Sequence, residues 1–153
     1  MRRETISNEF TGNMTPKEFA KYYKAAEHGD VEAQFKVGCC YNVGNGVAID
    51  SDEAIKWLCK AAEAGHHAAQ YKIGFYYYTG GHNGTAQNFT KAVKWLRKSA
   101  EQGNPQSQYM LGNCCYYGKG MVKDKTEAMK WWRKASLQYH NLAVARVIDE
   151  ESN

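Results

Sequence analysis

The chain has 153 residues, 43% hydrophobic and 24% charged, with a net charge of +4 and a pI near 8.7. That is about one domain's worth of chain, with enough apolar residues for a packed core and no sign of wholesale disorder. No apolar run approaches the roughly 20 residues that span a bilayer, and the 16 acidic residues are interspersed among the 20 basic ones. A nucleic-acid binder more often gathers its positive charge on one face, so neither a membrane nor nucleic acid is an expected partner.

Residues 1–14, MRRETISNEFTGNM, read as a polar tail. Two arginines stand there with no apolar stretch behind them, which is not a secretory signal; the expected compartment is the cytoplasm. Thr15, Pro16 and Glu18 then carry three helix-start signals: a cap, a residue suited to the first helical position, and the acid of a capping box. The predicted N-terminal helix spans 15–29 and stops at Gly29, where a left-handed residue belongs. Its FAKYYKAAEHG aligns with IKWLCKAAEAG 36 residues later, so the chain opens with the second half of a repeat.

The repeat itself is clearest from Ala33 to Gly65. AQYKIG (69–74) and SQYMLG (107–112) restate its opening, and KWLRKSAEQG (94–103) and KWWRKAS (130–136) restate its close. Periods of this length signal stacked helical hairpins, here over 30–65, 66–103 and 104–138. Helix A of the first unit is predicted over 31–43, with Ala33, Val37, Gly38 and Tyr41 on one stripe. Gly38, Gly74 and Gly112 recur inside this helix, where each costs about 1 kcal/mol against alanine; close approach of helix B accounts for them. Gly44-Asn45-Gly46 breaks the helix and tolerates positive φ.

Helix B opens on Asp50 and Glu53, a second capping box, repeated by Asp124 and Glu127; Asn88 and Lys91 keep the cap alone. Ala54, Trp57, Leu58, Ala61 and Ala62 form its buried stripe. Trp95 and Trp131 recur at the Trp57 position, so Trp95 is expected in the core. Lys56, Lys60, Lys94, Lys98, Lys130 and Lys134 are expected on a solvated outer face. Unit two carries a two-residue insertion between its helices, with formal glycosylation acceptors at Asn83 and Asn88 that mean little without a signal peptide. Residues 139–153 read as a C-terminal capping helix and tail with a polar outer face, as solenoids need. About seven helices are expected: an N-terminal helix, three A/B pairs and a C-terminal helix.

The recurring string, A-Q-[FY]-x-[VIL]-G, then Y-x-x-G-x-G-V, then D-x-x-x-A-x-x-W-x-x-K-A-A-x-x-G, resembles the Sel1-like repeat family, relatives of the tetratricopeptide repeat. Ala33, Gln34, Gly38, Tyr41, Gly44, Gly46, Val47, Asp50, Ala54, Trp57 and Lys60 to Ala62 carry the match in the first unit. Gln108, Gly112, Tyr116, Gly118, Gly120, Asp124, Ala128, Trp131 and Lys134 carry it in the third. The resemblance implies an all-α, right-handed α-solenoid acting as a protein-binding adaptor or scaffold. Cysteine-rich relatives with a β-lactam-binding or hydrolysing activity supply an alternative by analogy. This sequence departs from them, with no cysteine in unit two and no visible secretory signal.

By elimination, the helix-A residues not used in the core line the concave side. These are Lys36, Cys39, Cys40 and Val43, then Lys72, Phe75, Tyr76 and Thr79, then Met110, Asn113, Cys114 and Tyr117, followed by Arg146. A basic row beside an aromatic row suits an extended acidic or aromatic-containing peptide, although Phe75, Tyr76 and Tyr117 could instead pack between repeats. Self-association as a homodimer, through the solenoid's end or its aromatic residues, is a further alternative.

No cofactor, metal or catalytic motif is found. Adjacent residues on a helix point about 100° apart, so neither Cys39-Cys40 nor Cys114-Cys115 chelates as C-x-x-C does. Five cysteines, an odd count unevenly spread, fit reduced thiols. His28, His66 and His67 stand at turns after helix B, where histidine complements a helix C-terminus. No S-x-x-K, G-x-S-x-G, H-E-x-x-H or phosphate-binding G-x-x-x-x-G-K-[ST] occurs, so an enzyme is not expected.

Overall fold

The computed structural model describes residues 12–81, 84–138 and 140–152. Among these there are eight helices and no strand. They are α1 (Pro16–Glu27), α2 (Val31–Val43), α3 (Ser51–Glu63), α4 (His67–Thr79), α5 (Phe89–Glu101), α6 (Pro105–Tyr117), α7 (Lys125–Ser136) and α8 (Asn141–Glu151). The expectation of seven is corrected to eight, since an N-terminal helix, three pairs and a C-terminal helix already make that number. Most of the expected polar tail, residues 1–11, lies outside the described residues. The substantial helix contacts all join consecutive elements. That one-dimensional order defines an α-solenoid, each layer resting on its neighbours alone.

Local chemistry sets the helix starts. Thr15 accepts from Glu18 N–H at 3.2 Å while Glu18 Oε2 accepts from Thr15 N–H at 2.8 Å, a complete capping box. The boxes expected at Asp50 and Asp124 are only half formed. Asp50 accepts from the N–H groups of Asp52 and Glu53, and Asp124 from that of Glu127. The reciprocal bond is missing because each cap's own N–H is already spent on the preceding helix A: Asp50 donates to Tyr41 O (3.1 Å) and Asp124 to Cys115 O (2.8 Å). No helix A precedes α1 among the described residues, so there the glutamate fills the role. Glu53, released from it, holds Lys56 Nζ at 2.8 Å and Trp57 Nε1 at 3.1 Å.

The helix-B stripe is buried as expected, with Ala54, Trp57, Leu58, Ala61 and Ala62 at 0–2% exposure. The glycines inside helix A have the anticipated cause. A Cβ on Gly38 would stand 2.8 Å from Leu58 Cγ, one on Gly74 the same distance from Leu96 Cγ, and one on Gly112 would meet the indole of Trp132. Trp95 departs from expectation: it is only half-buried, at the edge of the core. The largest fully buried side chain is Trp132, which occupies the Leu58 and Leu96 position. The six outer lysines are exposed. Three of them also lie over a tryptophan face: Lys60 on Trp57 at 4.3 Å, Lys98 on Trp95 at 4.9 Å and Lys134 on Trp131 at 4.5 Å. These are cation–π contacts repeated once per layer.

A glutamine ladder ties the layers. Gln34, Gln70 and Gln108 each donate Nε2 to a carbonyl in the last turn of the preceding helix, that of Ala26, Ala62 and Ala100. Gln102 and Gln138 then donate to the side-chain oxygens of Gln70 (2.8 Å) and Gln108 (3.0 Å). In the first layer Ala64 stands where Gln102 and Gln138 stand, and Gln34 Oε1 is buried without a partner. Ala64→Gln supplies the missing donor. It is expected to raise unfolding free energy by about 0.5–1.5 kcal/mol, read as a higher urea midpoint at unchanged slope; no gain would mean the rung does not form.

Candidate protein-binding face

The helices A (α2, α4, α6) and α8 share one side of the stack, and a pocket of about 300 Å³ opens there between α4, α6 and the head of α8. From α4 come Tyr71, Phe75, Tyr78 and Thr79, spaced at one and two turns so that they share a side. From α6 come Gln106, Tyr109, Met110 and Asn113 at the same spacing, and His140 and Leu142 close the end. Tyr71 and Tyr109 occupy the aromatic position of the A-Q-[FY] string.

His140 is the N-cap of α8. Its Nδ1 accepts from Ala143 N–H at 3.3 Å, and its ring stacks on Tyr109 at 4.8 Å. His66 repeats the arrangement two layers back, accepting from Ala69 N–H at 3.2 Å, stacking on Phe35 at 4.3 Å and reaching Glu32 through Nε2 at 2.9 Å. The expectation for His66 is thereby corrected. Its ring serves the start of the following helix and not the end of the preceding one, because the turn is short enough for one residue to be both. His28 behaves as anticipated, its Nδ1 2.6 Å from Lys24 O at the end of α1.

The pocket wall is neutral and aromatic, and its rim is basic. Lys119 Nζ donates to Tyr78 Oη at 3.1 Å and sits over that ring. Arg146 donates to Tyr117 Oη at 3.2 Å. Neither α4 nor α6 contains a single acidic residue. Asn113 contributes the one discordant atom: its Oδ1 is buried without a hydrogen-bond partner, a state that costs about 1–3 kcal/mol.

Of the expected concave residues, Phe75, Thr79, Met110 and Asn113 meet in this pocket, and Tyr117 joins Arg146 beside it. Lys36 and Lys72 are half-buried on α2 and α4 outside the pocket, Lys36 lying 5.0 Å from the Tyr22 ring. Cys39 is half-buried near Lys72, its thiol pushed up to about 11 by burial. Three residues are corrected: Cys40 (1% exposed), Tyr76 (6%) and Cys114 (0%) belong to the core. They share one repeat position. Elimination allowed helix A a single buried stripe, whereas each helix A packs against the helix B before it and the one after it, which buries two. Met110, at 9% exposure, offers the pocket little more than an edge. Tyr71, Tyr78, Tyr109 and His140 were missed; the recurring aromatic after each A-Q pair was the signal for two of them.

All five cysteines are free thiols. Burial pushes Cys114 up to about 12, far from the thiolate that nucleophilic or metal chemistry requires. Among the described residues no group of three His, Cys, Asp or Glu is placed to hold a metal ion, and no helix is long and apolar enough to cross a membrane.

Stacked hairpins tied by repeated glycines and glutamines, with an aromatic pocket on one side, define a helical-repeat scaffold. The family model for the Sel1 repeat matches residues 31–66, 67–104 and 105–140, and the chain belongs to the Sel1 repeat family. Repeats of this family typically mediate protein–protein interaction and are generally non-catalytic. A Sel1 repeat protein from Oxalobacter formigenes is similar at 36% identity and a TM-score of 0.82, over 87% of this chain and 98% of that one. A protective antigen of uropathogenic Escherichia coli with the same fold is 37% identical over 78% of this chain and 25% of its own, with a TM-score of 0.73. Cysteine-rich protein B of Helicobacter pylori shares the fold, with a TM-score of 0.64 at 23% identity, over 88% of this chain and 98% of its own. Among curated proteins no match is found.

Proposed function

We propose that this chain is an adaptor that holds a segment of a partner protein along its helix-A face. The observation that carries this reading is the charge of that face. Acid-free α4 and α6 carry Lys72 on α4 and stand beside Lys36, Lys119 and Arg146, along a run of aromatic rings. Such a surface favours an acidic segment and disfavours a basic one. The β-lactam alternative has no observation of its own in its favour.

The test is capture of a partner from the source cell's lysate, followed by measurement of its affinity for wild type and for the Lys36→Glu, Lys72→Glu double variant. Both lysines are half-buried at most, so the melting temperature is expected to hold. The affinity is expected to fall by roughly tenfold or more, with a steep salt dependence in the wild type. Equal affinity for both proteins would move the site off this face.

A further inference from the structure

We propose that the outer face of α8 is a dimer interface, occupied by the α8 of a second copy of this chain set antiparallel to it about a two-fold axis. This is independent of the adaptor reading, because Leu142 turns toward the helix-A pocket and the interface is the opposite side of the same helix.

The last layer breaks the repeat on its outward side. Val144 stands where Gln70 and Gln108 stand, and Ile148 where Gly74 and Gly112 stand. In α4 and α6 those positions are buried, and the two glycines face Leu96 and Trp132 of the following helix B. No helix B follows α8 among the described residues, and Val144 is 36% exposed and Ile148 57%. At the end of α7, Leu137 takes the place of Glu27, Glu63 and Glu101 and is also exposed. The outer face of the C-terminal helix, expected to be polar, is apolar at its centre.

The apolar residues form one patch. Side chains step by about 100° along a helix, so Val144, Val147 and Ile148 share a side of α8, with Asn141 at its head and Glu151 at its foot. The other side is already taken by the stack. Ala143 is buried there, Arg146 reaches Tyr117 Oη, and Glu150 accepts from Tyr116 Oη at 2.8 Å.

Two features commit this patch to its own copy. The first is the polarity of the opposite end of the stack. Where the later helices B have alanine (Ala54, Ala92, Ala128) and tryptophan (Trp57, Trp95, Trp131), α1 has Glu18 and Lys21, both exposed. Docking α8 there would bury those charges against an apolar patch, which disfavours a head-to-tail contact. The patch is matched by itself, and such an isologous contact closes at two copies. The second feature is charge. α8 ends on Asp149-Glu150-Glu151 and has no acid in its first turn. Antiparallel pairing brings each acidic end to the other helix's N-terminus, whose partial positive charge favours it; parallel pairing sets two acidic clusters together. About the two-fold axis Val144 meets Ile148 of the partner subunit.

An 11-residue helix is about 16 Å long. A pair of that length buries less than about 1,200 Å² in total, the low end for specific interfaces, so a dissociation constant of about 1–100 µM is expected. Sedimentation velocity of the full chain over a concentration series should show monomer passing to dimer, with no larger species. Ile148→Lys is expected to weaken the dimer by roughly tenfold or more, because it buries a charge against Val144. In the monomer a cation near the helix C-terminus is favourable, so circular dichroism and the melting temperature should hold; if they do not, Val144→Ser takes its place. Lys21→Glu on α1 is expected to leave the dimer unchanged. For direction, Val144→Cys mixed with Ile148→Cys is expected to cross-link on oxidation, while neither variant does so alone.

A chain that stays monomeric up to a few hundred micromolar overturns the interface, as does a dimer untouched by Ile148→Lys. Species larger than a dimer, or loss of the dimer in Lys21→Glu, would mean head-to-tail stacking through α1 and overturn the isologous contact. Cross-linking of either cysteine variant with itself overturns the antiparallel arrangement. None of these outcomes bears on Lys36 and Lys72, so the adaptor reading stands or falls separately. With the interface in place, the dimer presents two helix-A faces, and a partner with two matching segments gains by effective concentration.

Discussion

Trp132→Ala is expected to lower the unfolding free energy by about 3–5 kcal/mol, the range for removing a fully buried aromatic ring. Trp132 is 0% exposed. Its Nε1 donates to Tyr109 O at 3.3 Å, its ring lies 5.3 Å from that of Tyr116, and Arg146 covers it at 5.7 Å. The ring therefore touches both α6 and α8, and its loss opens a cavity where three helices meet. Truncating the half-buried Trp95 removes a ring that already faces water in part, and about 1–2 kcal/mol is expected there. Urea unfolding of the two variants side by side decides the matter. A larger loss at Trp95 would mean that the core lies on the other side of helix B. Because Tyr109 is a wall of the pocket, Trp132→Ala is also expected to loosen the pocket, so it is unsuitable as a binding control.

Most of the fold was legible because its determinants are local and repeated. Asp50, Asn88 and Asp124 cap helix B within three residues of themselves. The stripe from Ala54 to Ala62 needs only the helical period, and Gly38 shows its reason as soon as a second helix is laid against it. Where the reading failed, the missing information was which neighbours an element has. Cys40, Tyr76 and Cys114 look like surface positions on a helix with one partner and are core positions on a helix with two. Glu53 completes a capping box in isolation, but Tyr41 O takes the N–H first.

The pocket was the least visible feature. Tyr71 and Tyr109 are 38 positions apart and Tyr109 and His140 are 31 apart, and they converge only through the stacking of the layers. Their clue was the aromatic that follows each A-Q pair, which reads equally well as packing. Phe35 shows the packing role: the same position in the first layer stacks on His66.

Gly112→Ala tests the idea that glycine is needed because a rigid ring fills the place of its side chain. Alanine is the better helix former by about 1 kcal/mol, so an unobstructed site would gain stability. Here the three atoms nearest to an added Cβ all belong to the Trp132 indole, a plane that does not bend aside as a leucine's methyl groups can. Overpacking of this kind costs about 1–3 kcal/mol, so Gly112→Ala alone is expected to destabilise. In a Trp132→Ala background the obstacle is gone, and the same change is expected to be close to neutral or mildly stabilising. The double-mutant cycle should therefore show a coupling of about 1 kcal/mol or more between positions 112 and 132. Additive behaviour would mean that backbone crowding, as at Leu58 N 3.0 Å from a Cβ on Gly38, excludes the side chain whatever residue stands opposite. The distinction bears on the face as well: Gly112 lies one residue before Asn113, so a turn of α6 pushed off Trp132 carries that pocket-lining residue with it.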